Sequence, residues 1–426
     1  MLNNNRRRND RCKNTVKVIF VLIFVAIIAF GLQQVLLYLL RLKQASYLSN
    51  SNETSTSTTT PATTTSTPKL LSCEKRVVGF CSDREQKEIT RVQLSKITHA
   101  VFVNAEVDWE GVVTLSSANR TNRFTDLKKK AKSVKFDVKV MISIGGVENS
   151  HEFNKITKRE EKREKFIESS LEFLRKHNID GVDLHWKDNT LDENYMKLLK
   201  GLRQKFDDEG KSDNKNFIIS ITLAEPKFGI SMDPFGILNL VDFINVYSMD
   251  YYEQTSAFAT PISPLYSGVR GRKNDNVNST MKYFVCDTKK PTKFNIVIPF
   301  FVRLYGKVKD AVEEGKEAFR YYGGYPYKMM TRKTLRQEGM NIVNASWDEE
   351  SKSSFIYNQE SENYFAFETK KSIAEKVKFV NDNNLGGVWI RMVDQDDDEN
   401  SLLNAVSTEE FCKTNSEDVV KNDYCD

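Results

Sequence analysis

Three ionisable side chains stand at alternate positions in Ile179-Asp180-Gly181-Val182-Asp183-Leu184-His185-Trp186-Lys187. The apolar alternation predicts a buried strand. On a strand Asp183, His185 and Lys187 share one face, and Val182, Leu184 and Trp186 share the other. Three ionisable groups in a row on an inner face cost free energy unless they pair or meet water. The pattern therefore marks a site, or the remains of one. Asp183, His185 and Asp250 lack the clear spacing of a metal-ligand set, so no metal and no cofactor is expected. A hydrogen-bonded core histidine is the expectation for His185, and for Lys187 an ion pair with Asp183 or Asp250.

The stretch resembles the fourth-strand motif of the family 18 glycoside hydrolases, the chitinase family, written DGxDxDWE. Asp180, Gly181, Asp183 and Trp186 match it, whereas His185 stands for the last aspartate and Lys187 for the glutamate. The resemblance implies that the glutamate position is the general acid. It also implies that the aspartate two before it helps the substrate's own acetamido group act as nucleophile, an exception to the two-carboxylate scheme. A lysine near its ordinary pKa of ~10.4 is a poor proton donor near neutral pH. Its charge also disfavours a cationic transition state.

Other segments resemble the family in register: Val77-Val78-Gly79-Phe80, Ser143-Ile144-Gly145-Gly146, Asn245 to Tyr252, Ser263-Pro264-Leu265-Tyr266, Val297 to Phe301, Ser372 to Lys376 and Gly386-Gly387-Val388. In the sixth-strand motif the family's acetamido-orienting tyrosine is replaced by Met249, and Asp250 is retained. On the eighth strand the floor tryptophan is replaced by Arg391, with Trp389 two residues earlier. Four catalytic positions thus differ, while the framework motifs persist. The resemblance implies a fold whose reaction is lost. Ligand-contact candidates are Trp389, Arg391, Asp250, Tyr252 and Trp109. Trp389 either stacks on a sugar or only packs, and Trp186 and Trp347 add to the aromatic supply.

Those residues need elements to hold them. Strands are expected at 76–81, 97–103, 138–144, 181–187, 217–223, 243–248, 294–300 and 387–393. Helices are expected at 85–94, 125–131, 160–177, 191–205 and 373–383. Alternating strands and helices predict an α/β fold of parallel βαβ units. Pattern alone leaves a doubly wound sheet as rival to a (β/α)8 barrel, and the resemblance favours the TIM barrel, spanning 71–405. The stretch 303–367 is too long for an ordinary connection. The resemblance implies a small α+β insertion there, between strands 7 and 8, with Trp347, Tyr321, Tyr322 and Tyr325 in or near it.

The chain has 426 residues, 28% charged and 39% hydrophobic, with a net charge of +5. Length allows one large domain plus extras. Part of the basic excess lies in residues 1–17, and the Lys-rich runs read as solvated helix faces, so nucleic acid is not expected. Residues 18–40 are largely apolar and long enough to cross a membrane. The basic tail 1–17 then lies in the cytosol, a type II single-pass anchor with the barrel extracellular or lumenal. The alternative is a cleaved leader and a secreted chain. Residues 41–70 read as a Ser/Thr-rich disordered stalk, and 406–426 as an acidic tail without a fold. Asn52, Asn119, Asn278 and Asn344 open glycosylation sequons. Beyond Cys12, five cysteines (Cys73, Cys81, Cys286, Cys412 and Cys425) are expected in an oxidising compartment, with Cys412–Cys425 an economical pairing.

Expected function is a membrane-anchored pseudoenzyme that binds chitin, a chito-oligosaccharide or a related glycan without hydrolysing it. The alternatives are a structural or signalling surface protein with an extracellular protein partner and no sugar site, and a hydrolase with altered machinery.

Overall fold

A computed structural model describes residues 75–426 except 83–87, 136, 187–191, 225–233, 253–256, 324–326, 409–410, 412–419, 421–423 and 426. The expected tail, membrane span and stalk (1–17, 18–40 and 41–70) lie outside the described residues, as do Asn52, Cys73, Lys187, Tyr325 and Cys412. Among the described residues no helix is long and apolar enough to cross a membrane.

Eight parallel strands form the core: β1 (Arg76–Ser82), β2 (His99–Val107), β3 (Lys139–Gly145), β4 (Gly181–His185), β5 (Ile218–Ala224), β6 (Phe243–Tyr247), β7 (Phe294–Pro299) and β8 (Gly387–Arg391). Each pairs with its neighbour in chain order, and β8 pairs with β1, so the sheet closes on itself. Closure removes the edges that a doubly wound sheet would leave open. The chain is a (β/α)8 barrel.

Helices join successive strands on the outside. The helix Glu160–His177 lies within its expected bounds and buries Phe166, Ile167, Leu171 and Leu174. Asn178 ends it in the left-handed conformation, φ 48°, which asparagine tolerates better than most residues. The helix expected over 125–131 is longer, Ala118–Lys132, because Ser117 caps it by accepting from the Arg120 amide. The helices Ser150–Thr157 and Val277–Thr288 were not expected. Both are short and rich in Asn, Ser and Thr, which weakens their helical signal.

Two glycines close β3. Gly145 and Gly146 hold φ of 102° and 82°, and a Cβ on Gly145 would sit 2.6 Å from the His185 carbonyl oxygen. Only glycine lets β3 turn there against the end of β4.

Between β7 and β8 the chain builds a five-stranded antiparallel sheet, in the order Lys328–Met330, Val302–Tyr305, Asn363–Phe367, Ser353–Asn358 and Ser346–Asp348. With the helix Arg332–Gln337 it makes the expected α+β insertion. Tyr321 and Tyr322 lie in a separate three-stranded sheet with Phe258–Ala259.

The chain end differs from expectation. Ser401–Val406 is helical, and Tyr424 is buried against Phe379, with ring centroids 6.2 Å apart. Cys425 bonds Cys286, not Cys412, with Cα atoms 5.5 Å apart. The physical reason is the apolar seat for Tyr424, which brings the chain end back to the helix carrying Cys286. Cys81 is a buried free thiol.

Candidate functional site

The C-terminal ends of the barrel strands converge on two polar layers. In the lower layer β3, β4 and β5 are in register, with Ser143 opposite Asp183 and Asp183 opposite Ser220. Asp183 is fully buried. Its carboxylate accepts from Ser220 Oγ at 2.7 Å, Ser143 Oγ at 3.1 Å, Thr222 Oγ1 at 3.2 Å and Asn245 Nδ2 at 3.2 Å. Burial pushes its pKa up, and these donors oppose the rise. Four neutral donors satisfy the carboxylate among the described residues; Lys187, the partner expected for it, lies outside them. The signal for Ser220 and Thr222 was present: small polar residues alternate along an otherwise apolar strand.

The upper layer carries His185 on β4, Tyr247 on β6 and Arg391 on β8, with Asp250 following β6 and Arg303 following β7. Arg391 Nη1 donates to the Tyr247 hydroxyl at 2.6 Å, and Tyr247 donates onward to Asp250 Oδ2 at 2.7 Å. Asp250 also pairs with Arg303 Nη2, whose side chain is 2% exposed. Among the described residues Arg303 is the cation paired with Asp250. Sequence reasoning missed Arg303; its signal was a lone arginine in the apolar run Phe300 to Tyr305. The Arg391 guanidinium stays charged: burial opposes the charge, and Tyr247 and Asp250 outweigh it.

His185 differs from the hydrogen-bonded histidine expected. Among the described residues its Nδ1 is buried without a hydrogen-bond partner. Burial, aided by the charge of Arg391, lowers its pKa to about 3. The folded imidazole is therefore neutral far below the 6.5 of an exposed histidine. Between those values the unfolded chain binds the additional proton. Stability is then lost as pH falls from about 6.5 toward 3, at ~1.4 kcal/mol per pH unit for this one group. Thermal melts at neutral and mildly acidic pH should show a smaller acid-induced drop for His185→Asn than for the wild type. Equal drops would contradict this environment for the ring.

The tryptophans divide sharply. Trp389 has no exposed surface, donates Nε1–H to the Val246 carbonyl at 2.9 Å, and packs 4.9 Å from the Phe80 ring. Of its two expected roles, packing is the one its position fits; it offers no face to a sugar. Trp186 is buried between Phe153 and Tyr195. Trp109, after β2, is 59% exposed, with the Lys162 ammonium 4.3 Å over its ring. Trp347 lies in the insertion sheet under Lys371, 4.0 Å away. Tyr252 is buried, with the Arg272 guanidinium 4.9 Å over its ring, and Met249 is buried beside the mouth. Among the sequons, Asn119 and Asn344 are exposed and Asn278 is half-buried.

The mouth thus unites Asp183, His185, Asp250 and Arg391 of the expected set, while Trp389 packs beneath it and Trp109 stands exposed beyond β2. As chemistry, it offers two guanidiniums, a neutral imidazole and two carboxylates already engaged, Asp183 by neutral donors and Asp250 by Arg303 and Tyr247.

The family model described as "Glycosyl hydrolases family 18" matches residues 76–396. Chitinase A1 of Niallia circulans is 24% identical over 286 residues, covering 61% of this chain and 40% of that protein. Sporulation-specific chitinase 2 of Saccharomyces cerevisiae is 27% identical over 292 residues, covering 61% of this chain and 55% of the relative. The chain therefore spans about half the length of these relatives or less. A family 18 chitinase mutant from Cycas revoluta, solved in complex with (GlcNAc)4, shares the fold with a TM-score of 0.68 and 20% identity, covering 78% of this chain and 98% of that one.

Proposed function

The chain belongs to glycosyl hydrolase family 18, and from that premise we propose a membrane-anchored, chitinase-like protein that binds chitin, a chito-oligosaccharide or a related glycan without hydrolysing it. The observation that carries the reading is His185. It fills a position where the family resemblance calls for a carboxylate, and its imidazole is neutral to about pH 3. Hydrolysis needs a donor whose pKa lies near the working pH. Neither described carboxyl at the mouth serves. Asp183 is saturated by four donors, and Asp250 is held by Arg303 and Tyr247. Two residues further along the sequence, where the resemblance calls for the general acid, stands a lysine, Lys187.

Binding is supported by the mouth's unspent donors, by exposed Trp109, and by the Cycas relative's complex with (GlcNAc)4. The anchor rests on the length of the apolar run 18–40 and the basic residues before it.

A second reading, a surface protein with a protein partner and no sugar site, is favoured by one feature: Trp389 is wholly buried and Arg391 stands where the family's floor tryptophan belongs. Prolonged incubation of the full chain with chitotetraose, read by chromatography, separates loss of chemistry from altered chemistry. The expected chromatogram shows intact tetramer. Accumulation of shorter sugars that disappears with His185→Asn or Lys187→Ala would contradict the proposal.

A further inference from the structure

The two guanidiniums at the mouth are not equally compensated. Arg303 has a carboxylate partner in Asp250. Arg391 does not: among the described residues its hydrogen-bond partner is the neutral Tyr247 hydroxyl. A guanidinium carries five N–H donors in a planar fork suited to two oxygens of one anion. One of these is spent on Tyr247. The acceptor that could have quenched the rest, Asp250, is engaged by Arg303 and by the Tyr247 hydroxyl.

Independent support comes from the orphaned atoms. Among the described residues His185 Nδ1 and Arg303 Nε are both buried without a hydrogen-bond partner. His185 is 9% exposed and lies close enough to Arg391 to feel its charge. Leaving such an atom unpaired costs ~1–3 kcal/mol. Arg391, Tyr247 and Asp250 each keep some solvent exposure, so this edge of the mouth is reachable.

Resting on the glycan-binding reading above, we propose that the favoured ligand is an anionic glycan, one whose carboxylate or sulfate docks on the Arg391 guanidinium. The hydroxyl or amide groups of the same sugar then meet His185. Charge-assisted, two-point hydrogen bonds of this kind discriminate strongly against the neutral analogue.

The test is calorimetric titration of the full chain with three probes: neutral chitotetraose, its 6-O-sulfate, and a hyaluronan tetrasaccharide carrying carboxylates. At least one anionic arm should bind about tenfold tighter than the neutral one. Its affinity should fall as salt rises from roughly 50 to 300 mM. Arg391→Gln should erase the preference, and Arg391→Lys should retain part of it. The two anionic arms separate sulfate from carboxylate. Salt dependence is read on the unaltered chain, so the proposal stays testable even if Arg391→Gln folds poorly. Neutral sugar binding as tightly as both anionic arms would overturn the inference and leave the glycan-binding reading standing. A preference that survives Arg391→Gln in a folded variant would also overturn it. Silence in all three arms would overturn both.

Discussion

Trp389→Ala should destabilise the barrel by about 3–5 kcal/mol, the range for emptying an aromatic site in a core. The ring has no exposed surface, lies against Phe80, and gives its indole N–H to the Val246 carbonyl. Truncation leaves a cavity at the centre of the barrel and takes from the Val246 carbonyl one of its two donors, the other being the Ser248 amide. Trp389→Phe should cost less, because it refills most of the volume and loses mainly the hydrogen bond, worth ~1 kcal/mol. Thermal or urea melts decide the matter. A Trp389→Ala variant that melts with the wild type but loses sugar binding would restore the stacking role that the structure denies to this residue.

Asp250→Ala should be as costly, about 3–5 kcal/mol, because it strands a buried guanidinium. The Arg303 side chain is 2% exposed and, among the described residues, its Nε lacks a partner, so water cannot readily take over from the carboxylate. A second penalty adds to the first. Asp250 holds φ at 57°, a left-handed conformation in which alanine is strained by ~1–2 kcal/mol and asparagine is tolerated. Asp250→Asn should therefore fall between wild type and alanine, since it keeps the backbone tolerance and an acceptor for Tyr247 but removes the charge. Arg303→Met combined with Asp250→Asn should recover part of the loss, because both halves of the ion pair are then gone. Equal melting of the two single variants would mean that Arg303 draws its stability from elsewhere.

The fold was legible because its signals are local. All eight barrel strands lie within a few residues of where apolar alternation placed them, and Gly145 and Gly146 betray a turn that only glycine fits. Asp183 and His185 were legible as inward-facing for the same reason: the two-residue period of a strand. What escaped the sequence depends on residues far apart in the chain. The burial of Trp389 is set by Phe80 and Val246, from strands elsewhere in the barrel. Arg303 declares its role only when Asp250, from the neighbouring βα loop, comes beside it. The Cys286–Cys425 bond spans 139 positions, and no spacing rule reaches so far. Local economy favoured Cys412 instead. The helix Val277–Thr288 carries too few strong helix formers to announce itself, and packing against the barrel supplies what propensity does not.

The central claim is that the family frame persists as a binding surface after its chemistry has gone. Calorimetric titration of the full chain with chitotetraose, followed by chromatography of the same sample, tests both halves at once. A saturable heat with intact tetramer recovered is the result predicted. Shorter sugars in the recovered sample, or no heat for chitotetraose and none for the anionic probes, would contradict it.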